Sequence, residues 1–176
     1  KTVLLKSLGG LIAPSYGFVK IKGVDTDDAI YAHNENARTV AAYVFQKGGL
    51  FDSMNLFENV AFGMARKKIA PEEIKLKVDR TLERVGLGGS QLKLPSELSG
   101  GMQKRAAIAR AMALDPQILF LDEPSAGLDP ITSAELDHLI VRLARSLGIT
   151  FIVVSHELAS IEMIASGEIA ANLAAS

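Results

Sequence analysis

The sequence predicts an α/β fold around a mostly parallel sheet, on three observations. Two short apolar runs, Ile118-Leu119-Phe120-Leu121 and Phe151-Ile152-Val153-Val154, flank a helical pattern. Runs of this kind, rich in β-branched and aliphatic residues and alternating with helices, read as buried parallel strands. Each run stops at reactive polar groups, Asp122-Glu123-Pro124 after the first and Ser155-His156 after the second. A glycine-rich turn, Leu98-Ser99-Gly100-Gly101-Met102, opens a helix upstream of the acid pair. Open parallel sheets bind ligands at the carboxyl ends of their strands. An acid pair and a histidine at two such ends therefore mark a site suited to a nucleotide phosphate and its metal.

The elements follow in order. Residues 2–9 read as a short helix closed by Gly9-Gly10, and Phe18 to Gly23 alternates like an edge strand ending in a turn. Residues 24–38, with several Asp and Asn, read as a loop or a weak helix. Val40 to Phe45 is a buried strand ending at Gln46, and Met54 to Met64 is mixed helix. Pro71-Glu72-Glu73 opens an amphipathic helix, because proline suits the first helical position and acids suit the positive end. Ile74, Val78, Leu82 and Val85 form its apolar stripe and Gly86 ends it. Residues 87–97 are a connector. Ser99 caps a helix running to about Leu114, which Asp115-Pro116 stops. Asp129 caps another, with Pro130 first, a stripe of Ile131, Leu136, Leu139, Ile140, Leu143 and Leu147, and Gly148 as its close. The strand–helix–strand order over 118–156 is a right-handed βαβ unit by default. No repeat or low-complexity segment is visible.

A length of 176 residues fits one domain with a substantial core. Hydrophobic residues at 48% and charged residues at 22% are ordinary for globular domains. A net charge of −1 argues against a non-specific nucleic-acid binder, which needs a basic face. With no cysteine, disulfides, thiolate zinc sites and cysteine nucleophiles are excluded. No apolar run approaches the roughly 20 residues that span a bilayer, and no secretory signal is visible. Both ends read as cut. Lys1-Thr2 leads straight into Val3–Leu8 without a strand or cap, and residues 170–176 have no strong pattern.

Each motif taken alone has an ordinary reading as well. Lys1-Thr2 is the last pair of a possible G-x-x-x-x-G-K-[ST] loop, whose lysine neutralises phosphates and whose hydroxyl binds Mg²⁺; a surface Lys-Thr is the plain alternative. Asp122 and Glu123 follow four apolar residues, and a carboxylate there is costly unless a cation or several donors satisfy it. Asp122 would hold Mg²⁺ and Glu123 would polarise the attacking water, or the pair merely starts a turn before Pro124. Ser99-Gly100-Gly101 is a helix N-terminus, a natural anion site or simply a glycine-rich helix entry. His156 ends a strand where a neutral imidazole can sense a γ-phosphate, or is structural. Gln46 also reads as structural by itself. His33 and His138 carry no assigned role.

Together, Lys1-Thr2, Gln46, Leu98 to Met102, Ile118 to Glu123, Ser125 to Asp129 and Ser155-His156 stand in one order that resembles the nucleotide-binding domain of ABC ATPases over nearly the whole chain. The resemblance implies a P-loop NTPase (RecA-like) core over 1–46 and 115–176, incomplete at both ends, and an inserted helical signature subdomain over 47–114. It implies Lys1 and Thr2 as the end of the Walker A loop and Gln46 as the Q-loop glutamine. Ser99, Gly100 and Gly101 match the signature, Asp122 and Glu123 Walker B, Asp129 the D-loop and His156 the switch histidine. By the same resemblance Glu123, His156 and Gln46 are catalytic, and Lys1, Thr2, Ser99, Gly100, Gly101, Asp122 and Asp129 bind ATP. Thr2, Gln46 and Asp122 would serve Mg²⁺.

The wording of LPSELSGGMQKRAAIARAMALDP, FQKGGLFDSMNLFENVAF and GLDPITSAELD is similar to the ATPase subunits of Mla/Mce-type lipid transporters and their plastid counterpart. That similarity implies ATP hydrolysis powering phospholipid or sterol traffic, with a homodimer of ATPase subunits and an integral-membrane permease. It further implies a periplasmic Mce-type lipid-binding subunit, a small regulatory subunit, no nucleic acid, and a peripheral place on the cytoplasmic face of the inner membrane. The chain departs from the pattern in lacking the Walker A glycines, the first strands and the adenine-stacking aromatic. The stretch 24–41 is short, and Ser166-Gly167-Glu168 stands where the family runs into an Asp and two strands. Segments are therefore expected to be omitted before Lys1, near 24–41 and after 165. The rival expectations are an ABC ATPase of an amino-acid or metal importer, a non-transport ABC protein, and a nucleotide-dead fragment.

Overall fold

The computed structural model describes residues 1–21, 24–25, 40–65 and 69–166. Its centre is a parallel sheet of three strands in the order β3-β4-β5, formed by Ala41–Val44, Ile118–Asp122 and Thr150–Val154. The register pairs Val44 with Leu121 and Asp122 with Val154, so the three carboxyl ends lie side by side. The sequence-predicted strands thus exist and run parallel, although Val40–Phe45 is trimmed and Phe45 is 45% exposed. Of the predicted edge strand over 18–23, Lys20–Ile21 form β1, which pairs antiparallel with β2 (Val24–Asp25); Phe18 and Val19 lie outside the strand and 22–23 outside the described residues. Of residues 24–38, read as loop or weak helix, Val24–Asp25 form β2 instead, because they pair with Lys20–Ile21, and the rest lie outside the described residues.

Alternation along the strands gives the sheet two apolar faces. Leu119, Leu121, Val44 and Phe151 join the main core, whereas Phe120 and Val154 pack with Leu5 on the opposite side. Leu5 belongs to α1 (Thr2–Leu8), the short predicted helix, closed at Gly9. A Cβ at Gly9 would stand 3.3 Å from the Tyr43 ring and 3.5 Å from that of Phe120, so the lack of a side chain lets α1 approach the sheet closely.

The helices on the main-core side keep their predicted signals. α2 (Leu56–Ala61) starts in a capping box between Asn55 and Glu58. α3 (Pro71–Arg84) buries Val78 and Leu82, with Val85 just beyond, and ends before Gly86, whose φ of 74° only glycine adopts freely. A 3₁₀ turn (Pro95–Glu97) then leads to α4 (Gly100–Met112), capped by the Ser99 hydroxyl, which accepts from Met102 N–H at 3.3 Å. α5 (Pro130–Leu147) is capped by Asp129 and closed by left-handed Gly148. Its stripe buries Leu136, Leu139, Ile140 and Leu143, but Ile131 is 76% exposed. Ile131 lies five residues before Leu136, about 140° round the helix from it, so it sits on the opposite face from the stripe, which begins at Leu136. α6 (Leu158–Ser166) follows β5 and packs on α5.

Two contacts give testable packing predictions. Gly101 is buried, and a Cβ there would come within 2.5 Å of Thr132 Cγ2 on α5. Gly101→Ala should therefore cost about 1–3 kcal/mol through overpacking. Thr132→Ser, which deletes only that methyl, should restore most of the loss in a denaturant melt of the double variant. An equal loss in single and double variants would show that the contact is not the cause.

Asp137 on α5 is 2% exposed, hydrogen-bonded to Ser160 on α6, and its Oδ1 lacks a partner among the described residues. Burial first, then the Glu157 carboxylate, hold its carboxyl above the ordinary range, against the Ser160 hydrogen bond and His138. A carboxyl raised in the folded state binds its proton more tightly there than in the unfolded chain. Its contribution is therefore most favourable at low pH and is lost as pH climbs from the ordinary carboxylate value through the raised one. Asp137→Asn should raise the neutral-pH melting midpoint by about 2–4 °C, and the advantage should fade on acidification. A midpoint lowered at pH 7 would contradict this.

Candidate functional site

The carboxyl ends of β3, β4 and β5 place Gln46, Asp122-Glu123 and Ser155-His156 along one edge. α1 starts beside that edge and adds Lys1 and Thr2. The Thr2 hydroxyl donates to Asp122 Oδ1 at 3.0 Å, and Lys1 Nζ donates to the Ser155 carbonyl at 3.4 Å. Asp122 is only 4% exposed, so its charge needs donors such as the Thr2 hydroxyl. The other oxygen, Oδ2, accepts from the Tyr43 hydroxyl at 3.1 Å.

Glu123 has its own set of partners. Gln46 Nε2 donates to Oε2 at 2.9 Å, and His156 Nδ1 lies 3.1 Å from Oε1. The Glu123 side chain is 22% exposed and that of His156 59%, which leaves the pair open to solvent on one side. The backbone of Glu123 is left-handed, with φ of 47°, although its N–H still donates to the Val154 carbonyl at 2.8 Å. A non-glycine residue in that region costs roughly 1 kcal/mol. The strain turns the second carboxylate out of the strand path, so that Asp122 stays buried while Glu123 faces the edge.

Five of the sequence-predicted site residues therefore form two adjoining clusters, Thr2–Asp122 and Gln46–Glu123–His156, with Lys1 beside His156's neighbour Ser155. Ser99, Gly100, Gly101 and Asp129 are not drawn in. Ser99 caps α4, and Asp129 caps α5 by accepting from Ile131 and Thr132 N–H groups; the Thr132 hydroxyl first, then these backbone groups, hold its carboxyl below the ordinary range. Gly100 is exposed at the tip of α4.

Three residues escaped the sequence reading. Tyr43 looks like core in an apolar strand; burial, then the charge of Asp122, push its phenol well above the ordinary value, so it remains a donor. Lys104 on α4 donates to the Gln46 carbonyl, and Arg110 donates to the Gly49 carbonyl while lying 4.2 Å over the Phe51 ring. Burial lowers the Lys104 ammonium, opposed by the Glu123 carboxylate nearby. These cations tie the segment after Gln46 to the Ser99-capped helix. The only sequence signal for them is a basic residue on an otherwise buried helix.

Among the described residues no group of three or more His, Cys, Asp or Glu is arranged to hold a metal. Thr2 and Asp122 supply hard oxygen donors instead. That fits Mg²⁺, which takes one or two protein oxygens and fills its shell with phosphate and water. Gln46 turns its amide nitrogen to Glu123 rather than toward Asp122.

The model of a family described as ABC transporter matches residues 1–126. The chain is 44% identical over 157 residues to the probable ribonucleotide transport ATP-binding protein mkl of Mycobacterium leprae, covering 89% of this chain and 45% of that protein. It is 42% identical over 166 residues to the intermembrane phospholipid transport system ATP-binding protein MlaF of Escherichia coli K12, covering 94% and 62%. The chain thus spans about half the length of the curated relatives it matches. Among solved structures, cbiO1 from Clostridium perfringens, part of the ABC transporter complex cbiONQ, superposes with a TM-score of 0.82 at 32% identity, covering 93% of this chain and 65% of that one. The ATP-binding cassette MJ0796, dimeric and bound to ADP and Pi, superposes with 0.80 at 29% identity, covering 92% and 72%. The fold is that of the P-loop NTPase cassettes.

Proposed function

The chain belongs to the ABC transporter family, and on that premise we propose that it is the ATP-hydrolysing part of a transporter that moves phospholipid or a related lipid. The observation that carries this reading is the separate holding of the two β4-end carboxylates. Asp122 is fixed by Thr2 and Glu123 by Gln46 and His156. One buried acid serving a metal beside one accessible acid serving water is the division of labour that phosphoryl transfer to water needs.

On this reading Thr2 and Asp122 are the residues that would hold the Mg²⁺ of Mg-ATP. The ion, when bound, neutralises charge on the transferring phosphoryl group. Lys1, with its ammonium at the same edge, adds a second positive charge there. Glu123 accepts a hydrogen bond from a water and orients it in line, with Gln46 and His156 fixing the carboxylate. His156 also reaches the γ-phosphate and registers its loss.

Residues 1–46 and 115–176 are assigned to the ATP-binding core, and 47–114 to the helical signature subdomain. Two copies pair head to tail, so that Ser99, Gly100 and Gly101 of one close on the ATP held by the other, and Asp129 lies at that junction. The exposure of Ser99 and Gly100 at the tip of α4 supports this, because a helix N-terminus turned outward can take an anion held by another copy. Among the described residues no helix is long and apolar enough to cross a membrane. On its membership of the transporter family we place the cassette at the cytoplasmic face, acting through an integral-membrane permease, with an Mce-type lipid-binding subunit and a small regulatory subunit as further partners. The name of the MlaF relative favours lipid over an amino-acid or metal cargo.

The experiment is reconstitution of the full chain with its co-purified membrane partner in vesicles carrying labelled phospholipid. Lipid movement dependent on ATP and Mg²⁺ is expected. Phosphate release without lipid movement, together with uptake of a polar solute, would reassign the cargo.

A further inference from the structure

We infer that Tyr43 is a positioning residue for the metal-binding carboxylate, an inference that rests on the ATPase reading above and adds a residue to it. Asp122 stands at the end of β4, with one oxygen toward the Thr2 hydroxyl at 3.0 Å and the other toward the Tyr43 hydroxyl at 3.1 Å. The two donors come from different elements, α1 and β3, and grip opposite oxygens. The carboxylate plane is thereby fixed against rotation about its last torsion, which is otherwise broad.

Tyr43 is itself held firmly. Its ring centroid lies 4.7 Å from that of Phe45 and 6.3 Å from that of Phe120, and Gly9 leaves room for the ring edge. Tyr43 pairs with Phe120 in the β3–β4 register, so its hydroxyl reaches past Leu121 to the strand end. A phenylalanine would fill the same space and leave Asp122 Oδ2 without this donor.

The physical consequence concerns the ion rather than the nucleotide alone. A small, hard cation demands near-ideal geometry, and partners that orient its ligands are worth about 10–100-fold in affinity. Tyr43 touches neither Lys1 nor Glu123 by any hydrogen bond found among the described residues, so metal-free nucleotide binding and water activation do not depend on it directly.

Tyr43→Phe in the full chain tests this. Mn²⁺ affinity in the presence of ADP, read by the electron paramagnetic resonance of free Mn²⁺, should fall roughly tenfold. The Mg²⁺ concentration for half-maximal hydrolysis should rise by a similar factor, whereas the affinity for ADP in EDTA stays within about twofold. The rate at saturating Mg²⁺ should recover most of the wild-type value, which a general packing defect would not allow. Tyr43→Met, lacking both ring and hydroxyl, should show the same loss of Mn²⁺ affinity plus a lower melting midpoint. Unchanged Mn²⁺ affinity in Tyr43→Phe, with an active wild type, would overturn this inference alone. A wild-type protein that neither binds nor hydrolyses nucleotide would overturn the ATPase reading and this inference with it.

Discussion

Glu123→Gln lowers ATP turnover by roughly 10²–10⁴-fold, the contribution of a positioned general base, while leaving ATP binding nearly intact. The expectation follows from the geometry of one side chain. Glu123 takes a hydrogen bond from Gln46 at 2.9 Å and faces His156 at 3.1 Å, and it remains partly open to water. Glutamine keeps the size and the possibility of both contacts but removes the negative charge that polarises a water. The backbone is unaffected, because the left-handed conformation is as strained for glutamine as for glutamate. Phosphate release and nucleotide retention measured on one preparation separate the two effects. Hydrolysis at the normal rate would remove Glu123 from the role and leave His156 as the candidate base.

Asp122→Asn lowers kcat/KM by roughly a hundredfold or more, and the loss comes through Mg²⁺ rather than through water. The carboxylate is 4% exposed and accepts hydroxyl hydrogen bonds on both oxygens. An amide offers one acceptor and one donor, so either Thr2 or Tyr43 must reverse its hydroxyl or lose its partner. A buried group left unpaired costs about 1–3 kcal/mol, and a neutral oxygen is a poorer ligand for a hard dication. Titrating Mg²⁺ against nucleotide affinity should show a large drop in the ion's effect with little change in metal-free affinity. Equal Mg²⁺ dependence in both proteins would place the metal elsewhere.

Much of this site was legible from residue order because strand ends and helix caps announce themselves locally. The run from Ile118 to Leu121 becomes a strand with Asp122 at its end, and Ser99 and Asp129 become N-caps. Such signals depend on neighbours in the chain. The Tyr43–Asp122 hydrogen bond depends on two strands lying in register, and nothing near Tyr43 distinguishes its hydroxyl from that of any core tyrosine. The same holds for the reach of Lys104 to the Gln46 carbonyl, across 58 positions of chain. Ile131 failed for a different reason: it is apolar, but five residues before Leu136 it falls about 140° round the helix from the buried stripe and faces outward. The left-handed backbone of Glu123 was also invisible, since sequence patterns favour glycine or asparagine at such positions.

The proposed composite ATP site, one copy's carboxylates closed by the other copy's Ser99-capped helix, is tested most directly by sedimentation of Glu123→Gln protein with and without ATP. The account predicts a monomer without nucleotide and a stable dimer with ATP, and no dimer when Ser99→Arg is added to block the helix tip. A Glu123→Gln protein that binds ATP and stays monomeric, or that dimerises equally well with Ser99→Arg, would contradict it.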